Sequence, residues 1–141
     1  MNVLIGDIGN TITKICVIEK KKYKIKEIIY FNSIENLSEK KLKIKLENLL
    51  KKKPFSKTAL FSSVVPKYHL ILKKYLKKKY KIKLKEIKDK KIDKIVKIKI
   101  KNNNQVGSDR IANAAGVYKK FKSNCIVLDF GTATTFDVVT K

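Results

Sequence analysis

An α/β fold is predicted by three observations in this 141-residue chain. Apolar runs of two-residue period alternate with stretches of helical period. One Asp–Gly segment occurs twice, each time directly after an apolar, strand-like run. Of only five glycines, Gly6, Gly9, Gly107, Gly116 and Gly131, three fall in or directly beside those two segments: Gly6, Gly9 and Gly131.

Taken in order, residues 2–8 read as a buried strand, and 12–19 and 23–31 as two more, joined by a Lys-rich turn at 20–22. A helix is expected to start at Ser38, with Glu39 in its first turn and Leu42, Leu46, Leu49 and Leu50 as its apolar stripe. Residues 59–65 form a short strand ended by Pro66. A second helix carries Tyr68, Ile71, Leu72, Tyr75 and Leu76. Two segments with lysine at every second position, 80–87 and 92–100, predict half-exposed strands. Residues 102–105 are a polar loop. A third helix spans 108–121, with Ser108 as its N-cap and Ile111, Ala114, Ala115 and Tyr118 facing inward. Residues 125–130 are a further strand.

Three strands, helix, strand, helix, strand is the order of a ribonuclease-H-like (actin-like ATPase) domain, expected here over 1–122. The second Asp–Gly segment, where another copy should begin, implies the start of a duplicated lobe over 123–141. A complete second lobe does not fit, so the chain reads as the front half of a longer protein, and inactive by itself.

The repeated segment carries the chemistry. Asp7-Ile8-Gly9-Asn10-Thr11-Ile12-Thr13 overlays Asp129-Phe130-Gly131-Thr132-Ala133-Thr134-Thr135, matching Asp7 with Asp129, Gly9 with Gly131 and Thr13 with Thr135. An Asp at a strand end, followed by Gly and small hydroxyl residues, makes a turn whose amides and hydroxyls can face phosphate oxygens. The carboxylate beside it can hold a cation. Two such loops facing each other would grip a nucleotide's phosphates from both sides. No Walker-type glycine loop is present.

Formal net charge is +23, yet the lysines run along the whole chain without an aromatic-interleaved basic motif. Specific nucleic-acid binding is therefore not expected, although low-salt adhesion to polyanions is. Of 35 basic residues one is arginine, Arg110, directly after Asp109. Its planar fork can bind a carboxylate bidentately, which lysine cannot do. The two cysteines, Cys16 and Cys125, lie in apolar runs and are expected to be buried thiols, without metal-ligand spacing. No apolar run is long enough to span a membrane and no secretory signal is visible, so a cytoplasmic location and no membrane partner are expected. His69 has no catalytic pattern around it and reads as structural.

Four segments in order, Asp7-Ile8-Gly9-Asn10-Thr11, Ser62-Ser63-Val64-Val65-Pro66, Gly107-Ser108-Asp109-Arg110-Ile111-Ala112-Asn113-Ala114 and Asp129-Phe130-Gly131-Thr132-Ala133-Thr134-Thr135, together resemble type III pantothenate kinase. That family belongs to the superfamily of acetate and sugar kinases, Hsp70 and actin. The resemblance implies ATP-dependent phosphorylation of pantothenate, the first step toward coenzyme A, by a homodimer of the complete polypeptide. It implies that Asp7, Ile8, Gly9, Asn10, Thr11, Ile12, Thr13 and Lys14 bind ATP phosphates and that Thr132 touches ATP. Gly107, Ser108, Asp109 and Arg110 would bind pantothenate, with Asp109 as general base. Asp129 would hold a monovalent cation, K⁺ or NH₄⁺, and Asp7 suits the Mg²⁺ of Mg-ATP through water. The family's Tyr-x-Asn-Pro before Gly-x-Asp-Arg is altered here: Asn102 keeps the Asn, but Ile100 replaces the Tyr and Asn103 the Pro. The rival expectations are a non-catalytic regulator similar to the Bvg accessory factor proteins, and a basic nucleic-acid-binding protein; the intact Asp109 and loops favour the enzyme.

Overall fold

A computed structural model describes residues 1–35, 38–51, 54–89, 96–102 and 105–141. The chain divides into two compact units, Met1–Glu86 and Ile87–Lys141.

The first unit begins with a meander. β1 (Asn2–Ile8), β2 (Ile12–Glu19) and β3 (Lys24–Asn32) pair antiparallel in sequence order. α1 (Glu39–Leu50) then crosses to β4 (Thr58–Ser63), which runs parallel to β1. α2 (Pro66–Tyr80) crosses to β5 (Lys83–Glu86), parallel to β4. The sheet order is β3-β2-β1-β4-β5, the mixed sheet expected of a ribonuclease-H-like domain. Each parallel pair needs a crossover, and the two helices supply them.

Local chemistry explains the boundaries. The Ser38 hydroxyl accepts the Lys41 N–H at 3.3 Å and caps α1. The α1 stripe of Leu42, Leu46, Leu49 and Leu50 is buried against the sheet and α2, each leucine contributing about 1.5–3 kcal/mol by area. Pro66 opens α2, where its missing N–H costs nothing. Strand alternation turns Leu4 and Ile8 of β1, and Thr13, Ile15 and Val17 of β2, into the same core. Gly6 has a packing reason: Phe61, its register partner on β4, lies over it, and a Cβ there would stand 2.2 Å from the Phe61 ring.

Several expectations need correction. The segment 80–87 is a strand only over Lys83–Glu86, because α2 continues through Tyr80 and ends on Lys81 in the left-handed region, φ 56°. Residues 87–89 form a short 3₁₀ turn. Of the strand expected over 92–100, residues 92–95 lie outside the described residues, and 96–100 form no strand. The loop at 102–105 is described only at Asn102 and Gln105. Cys16 is half-buried, because alternation puts it on the face opposite Ile15 and Val17; Cys125 is half-buried too. His69 is buried on α2.

The second unit is built on α3 (Ser108–Phe121) and an antiparallel hairpin of β6 (Cys125–Phe130) and β7 (Thr134–Val139). Gly107, not Ser108, occupies the N-cap of α3, and Ser108 is the buried first helical residue. Ile111 is buried, while Ala114 and Ala115 are half-buried and Tyr118 is exposed. α3 packs against both strands of the hairpin, and two strands cover less of a helix than five. Alternation turns Cys125, Val127 and Asp129 of β6, and Thr135, Asp137 and Val139 of β7, inward. Ile126, Leu128, Phe130, Phe136 and Val138 form an exposed apolar face.

Candidate active site

The first loop joins β1 to β2. Gly9 N–H donates to the Ile12 carbonyl at 3.1 Å and closes the turn. A Cβ on Gly9 would lie 2.9 Å from that same oxygen, which is the close backbone approach that selects glycine. Asn10 and Thr11 stand exposed at the tip, with Ile12 and Lys14 exposed beyond it. Ile8 and Thr13 are fully buried, so they can offer a ligand only their backbone. Asp7 is half-buried at the end of β1. Its Oδ1 accepts the Ser62 hydroxyl at 2.5 Å across the β1–β4 pair.

Asp109 and Arg110 occupy the first turn of α3, after Gly107. The Asp109 carboxylate accepts the Arg110 N–H at 2.8 Å and sits where the helix's unpaired amides favour negative charge. Arg110 does not point into open solvent. Its Nε donates to Asp137 Oδ1 at 2.8 Å, and its Nη2 donates to that oxygen and to the Phe136 carbonyl. This hydrogen bonding holds the guanidinium pKa above its ordinary value. One turn on, Asn113 Nδ2 donates to Asp129 Oδ2 at 3.0 Å. Residues three apart on one helix face thus hold the two inward carboxylates of the hairpin.

The two Asp–Gly segments differ in register. In the first, Asp7 lies opposite Lys14 and Ile8 opposite Thr13. In the second, Asp129 lies opposite Thr135 and Phe130 opposite Thr134. The second loop is therefore one residue shorter between paired positions, and Gly131 N–H closes it on the Ala133 carbonyl at 3.3 Å. Thr132 is exposed at its tip. Between α3, β7 and residues 96–100 lies a cavity of about 430 Å³, lined among others by Ile100, Arg110, Tyr118 and Asp137.

The donor chemistry fits the implied cations in part. Asp7 and Asp129 offer hard carboxylate oxygens, each with one oxygen engaged by a neutral donor. Among the described residues no cluster of three or more His, Cys, Asp or Glu side chains forms a complete protein cage for a metal. Such a site suits an ion that arrives with other ligands, as Mg²⁺ does with phosphates.

Sequence reasoning singled out the Asp–Gly loops and Gly107 to Arg110, and missed the partners of their carboxylates. Ser62 and Asn113 carried no assigned role, and Asp137 had no assigned partner. A signal for Asp137 existed: an acid facing inward on a half-buried strand needs a donor, and the single arginine is the obvious one.

The sheet order and the Asp at the end of each hairpin's first strand define a protein of the actin-like ATPase fold class. A crystal structure of a candidate sugar kinase from Cytophaga hutchinsonii shares this fold, with a TM-score of 0.54 and 16% identity over 99% of this chain and 48% of that one. Within the class the assignment is specific: residues 3–141 match the family model of type III pantothenate kinase, and the chain belongs to that family. It is 46% identical to a type III pantothenate kinase of Pelagibacter ubique over 140 residues, 99% of this chain. A second, of Desulfosudis oleivorans, is 33% identical over 141 residues. The chain spans about half the length of the curated relatives it matches, 54% in both cases. No helix among the described residues is long and apolar enough to cross a membrane.

Proposed function

We propose that the polypeptide to which this chain belongs phosphorylates pantothenate with ATP, as a soluble cytoplasmic homodimer. The observation that carries the reading is the family match along 3–141, within which both Asp–Gly loops and Gly107-Ser108-Asp109-Arg110 are intact. In lobe terms, residues 1–122 are the first ribonuclease-H-like lobe and 123–141 the first strands of the second.

Phosphoryl transfer to a hydroxyl asks the protein for positioning, charge neutralisation and a proton acceptor. Asp109 accepts the proton of the pantothenate hydroxyl from its place in the first turn of α3, beside Arg110. Gly107 and Ser108 present backbone to the same substrate. Asp7 to Lys14 and Thr132 receive the ATP phosphates. Asp7 would hold Mg²⁺ through water, and Asp129 a K⁺ or NH₄⁺ ion; these ions would supply charge neutralisation at the phosphates. Arg110, with one face engaged by Asp137, is left with its Nη1 side for a substrate oxygen.

The test is Asp109→Asn in the complete polypeptide, read by coupled ADP formation. Turnover falls about 10²–10⁴-fold, the usual scale for a general base, while ATP binding by calorimetry persists. Unchanged turnover removes Asp109 from that role. Absence of pantothenate-dependent ADP release by the unmodified protein removes the reading itself.

A further inference from the structure

Ser33 lies 2% exposed in the turn after β3 and has no part in the chemistry described so far. Its hydroxyl donates to the Gly9 carbonyl at 2.7 Å. Its backbone N–H donates to the Thr11 carbonyl at 2.9 Å. The Thr13 and Ser33 hydroxyls are 2.8 Å apart. A hydroxyl has one proton, and that of Ser33 goes to Gly9, so Thr13 is the donor in this pair. One residue, 20 or more positions away in sequence, thereby grips the first loop at Gly9, Thr11 and Thr13. The grip is itself fixed, since Asn32 Oδ1 accepts the N–H groups of Ile34 at 2.9 Å and Glu35 at 3.3 Å and closes the turn around Ser33.

The Gly9 contact sets the direction of a neighbouring donor. In a trans peptide the carbonyl of one residue and the N–H of the next point opposite ways, and no cis peptide occurs among the described residues. With the Gly9 carbonyl drawn inward to Ser33, the Asn10 N–H is turned away from it, at the exposed tip. Without the Ser33 hydroxyl, this peptide plane is free to flip, and the Gly9 carbonyl would then face an approaching phosphate and repel it.

We propose that Ser33 is a positioning residue for nucleotide binding: it orients the Gly9–Asn10 peptide so that the Asn10 amide is presented to a phosphate oxygen. This deepens the proposed kinase reading and rests on it.

The complete polypeptide is compared with its Ser33→Ala and Tyr68→Phe variants. The Tyr68 hydroxyl lies buried near Thr13 and makes no hydrogen bond to Gly9, so its removal perturbs the same buried region without freeing the loop peptide. In Ser33→Ala the KM for Mg-ATP rises about tenfold, with kcat at saturation and the KM for pantothenate nearly unchanged; one hydrogen bond's worth of orientation is of that order. Tyr68→Phe keeps the KM for Mg-ATP of the unmodified protein. An unchanged KM for Mg-ATP in Ser33→Ala overturns the proposal, as does a fall in kcat alone or an equal rise in Tyr68→Phe. If Ser33→Ala does not fold, the amide spectrum of the ¹⁵N-labelled unmodified protein decides: the Asn10 signal shifts on Mg-ATP addition, and a stationary Asn10 signal in a protein that binds Mg-ATP overturns the proposal. If the unmodified protein binds no ATP, the kinase reading fails first and this one with it.

Discussion

Arg110 and Asp137 are joined by a forked ion pair, with Nε at 2.8 Å from Oδ1 and Nη2 on the same oxygen. The chain's one arginine thus fastens the start of α3 to β7. Asp137→Asn keeps the shape and removes the charge. It should lower stability by about 1–3 kcal/mol, because the guanidinium is then left half-buried beside a neutral group. Arg110→Lys should cost a similar amount, since an ammonium cannot reach Asp137 and the Phe136 carbonyl in one plane. It should also weaken pantothenate binding more than ATP binding. Urea unfolding and calorimetry check both, and a double-mutant cycle showing no coupling would refute the clamp.

Ser62 donates to Asp7, so the first-loop carboxylate is held at a fixed angle on one oxygen. Ser62→Ala should raise the Mg²⁺ concentration for half-maximal activity about three- to tenfold, with turnover at saturating Mg²⁺ largely kept. A Mg²⁺ titration of the kinase assay reads this; an unshifted curve would show that Asp7 needs no orientation.

Gly6 is required by the Phe61 ring rather than by its own backbone, which stays out of the left-handed region. Gly6→Ala should destabilise the first unit by about 1–3 kcal/mol through overpacking. In a Gly6→Ala, Phe61→Leu double variant the loss should be smaller than the sum of the two singles. Additive losses in urea melts would place the cost elsewhere.

Burial raises the Cys16 thiol above its ordinary value. A native pKa above the unfolded one favours the folded state fully below the unfolded value, and that share is lost as pH climbs through the folded value. Between about pH 7 and 9, Cys16 should react with iodoacetamide more slowly in the folded protein than in urea, by about threefold or more. Peptide mass spectrometry after timed labelling gives the two rates, and equal rates would contradict the shift.

Much of the first unit was legible because its signals are local. The β1 to β3 runs, the Ser38 cap and the α1 leucine stripe each occupy a few adjacent residues. The errors arose where local pattern competed with something outside it. Alternating lysines at 80–87 look like a strand, but α2 had not yet ended, and Lys81 stops it in a conformation that its side-chain type does not announce. Ser108 is a good capping residue, yet Gly107 takes the cap and Ser108 is buried. The Asp–Gly loops could be found because they repeat. Ser33, Ser62 and Asn113 could not be given roles, because each acts through a contact 16 to 55 positions away and serine and asparagine are unremarkable in sequence. The overlay of the two segments also hid their unequal loop lengths, since pairing register is a property of two strands and not of one string.

That one-residue offset between the hairpins has an electrostatic consequence. Asp7 shares its sheet face with a cross-strand lysine, Lys14, at the spacing where opposite charges partly compensate. Asp129 faces Thr135 across its own hairpin and takes its hydrogen bond from Asn113, and both of these are neutral. Two segments that look interchangeable in the sequence therefore stand at different charge balances. The first has a positive neighbour supplied by the chain itself, while the two groups named at the second are neutral.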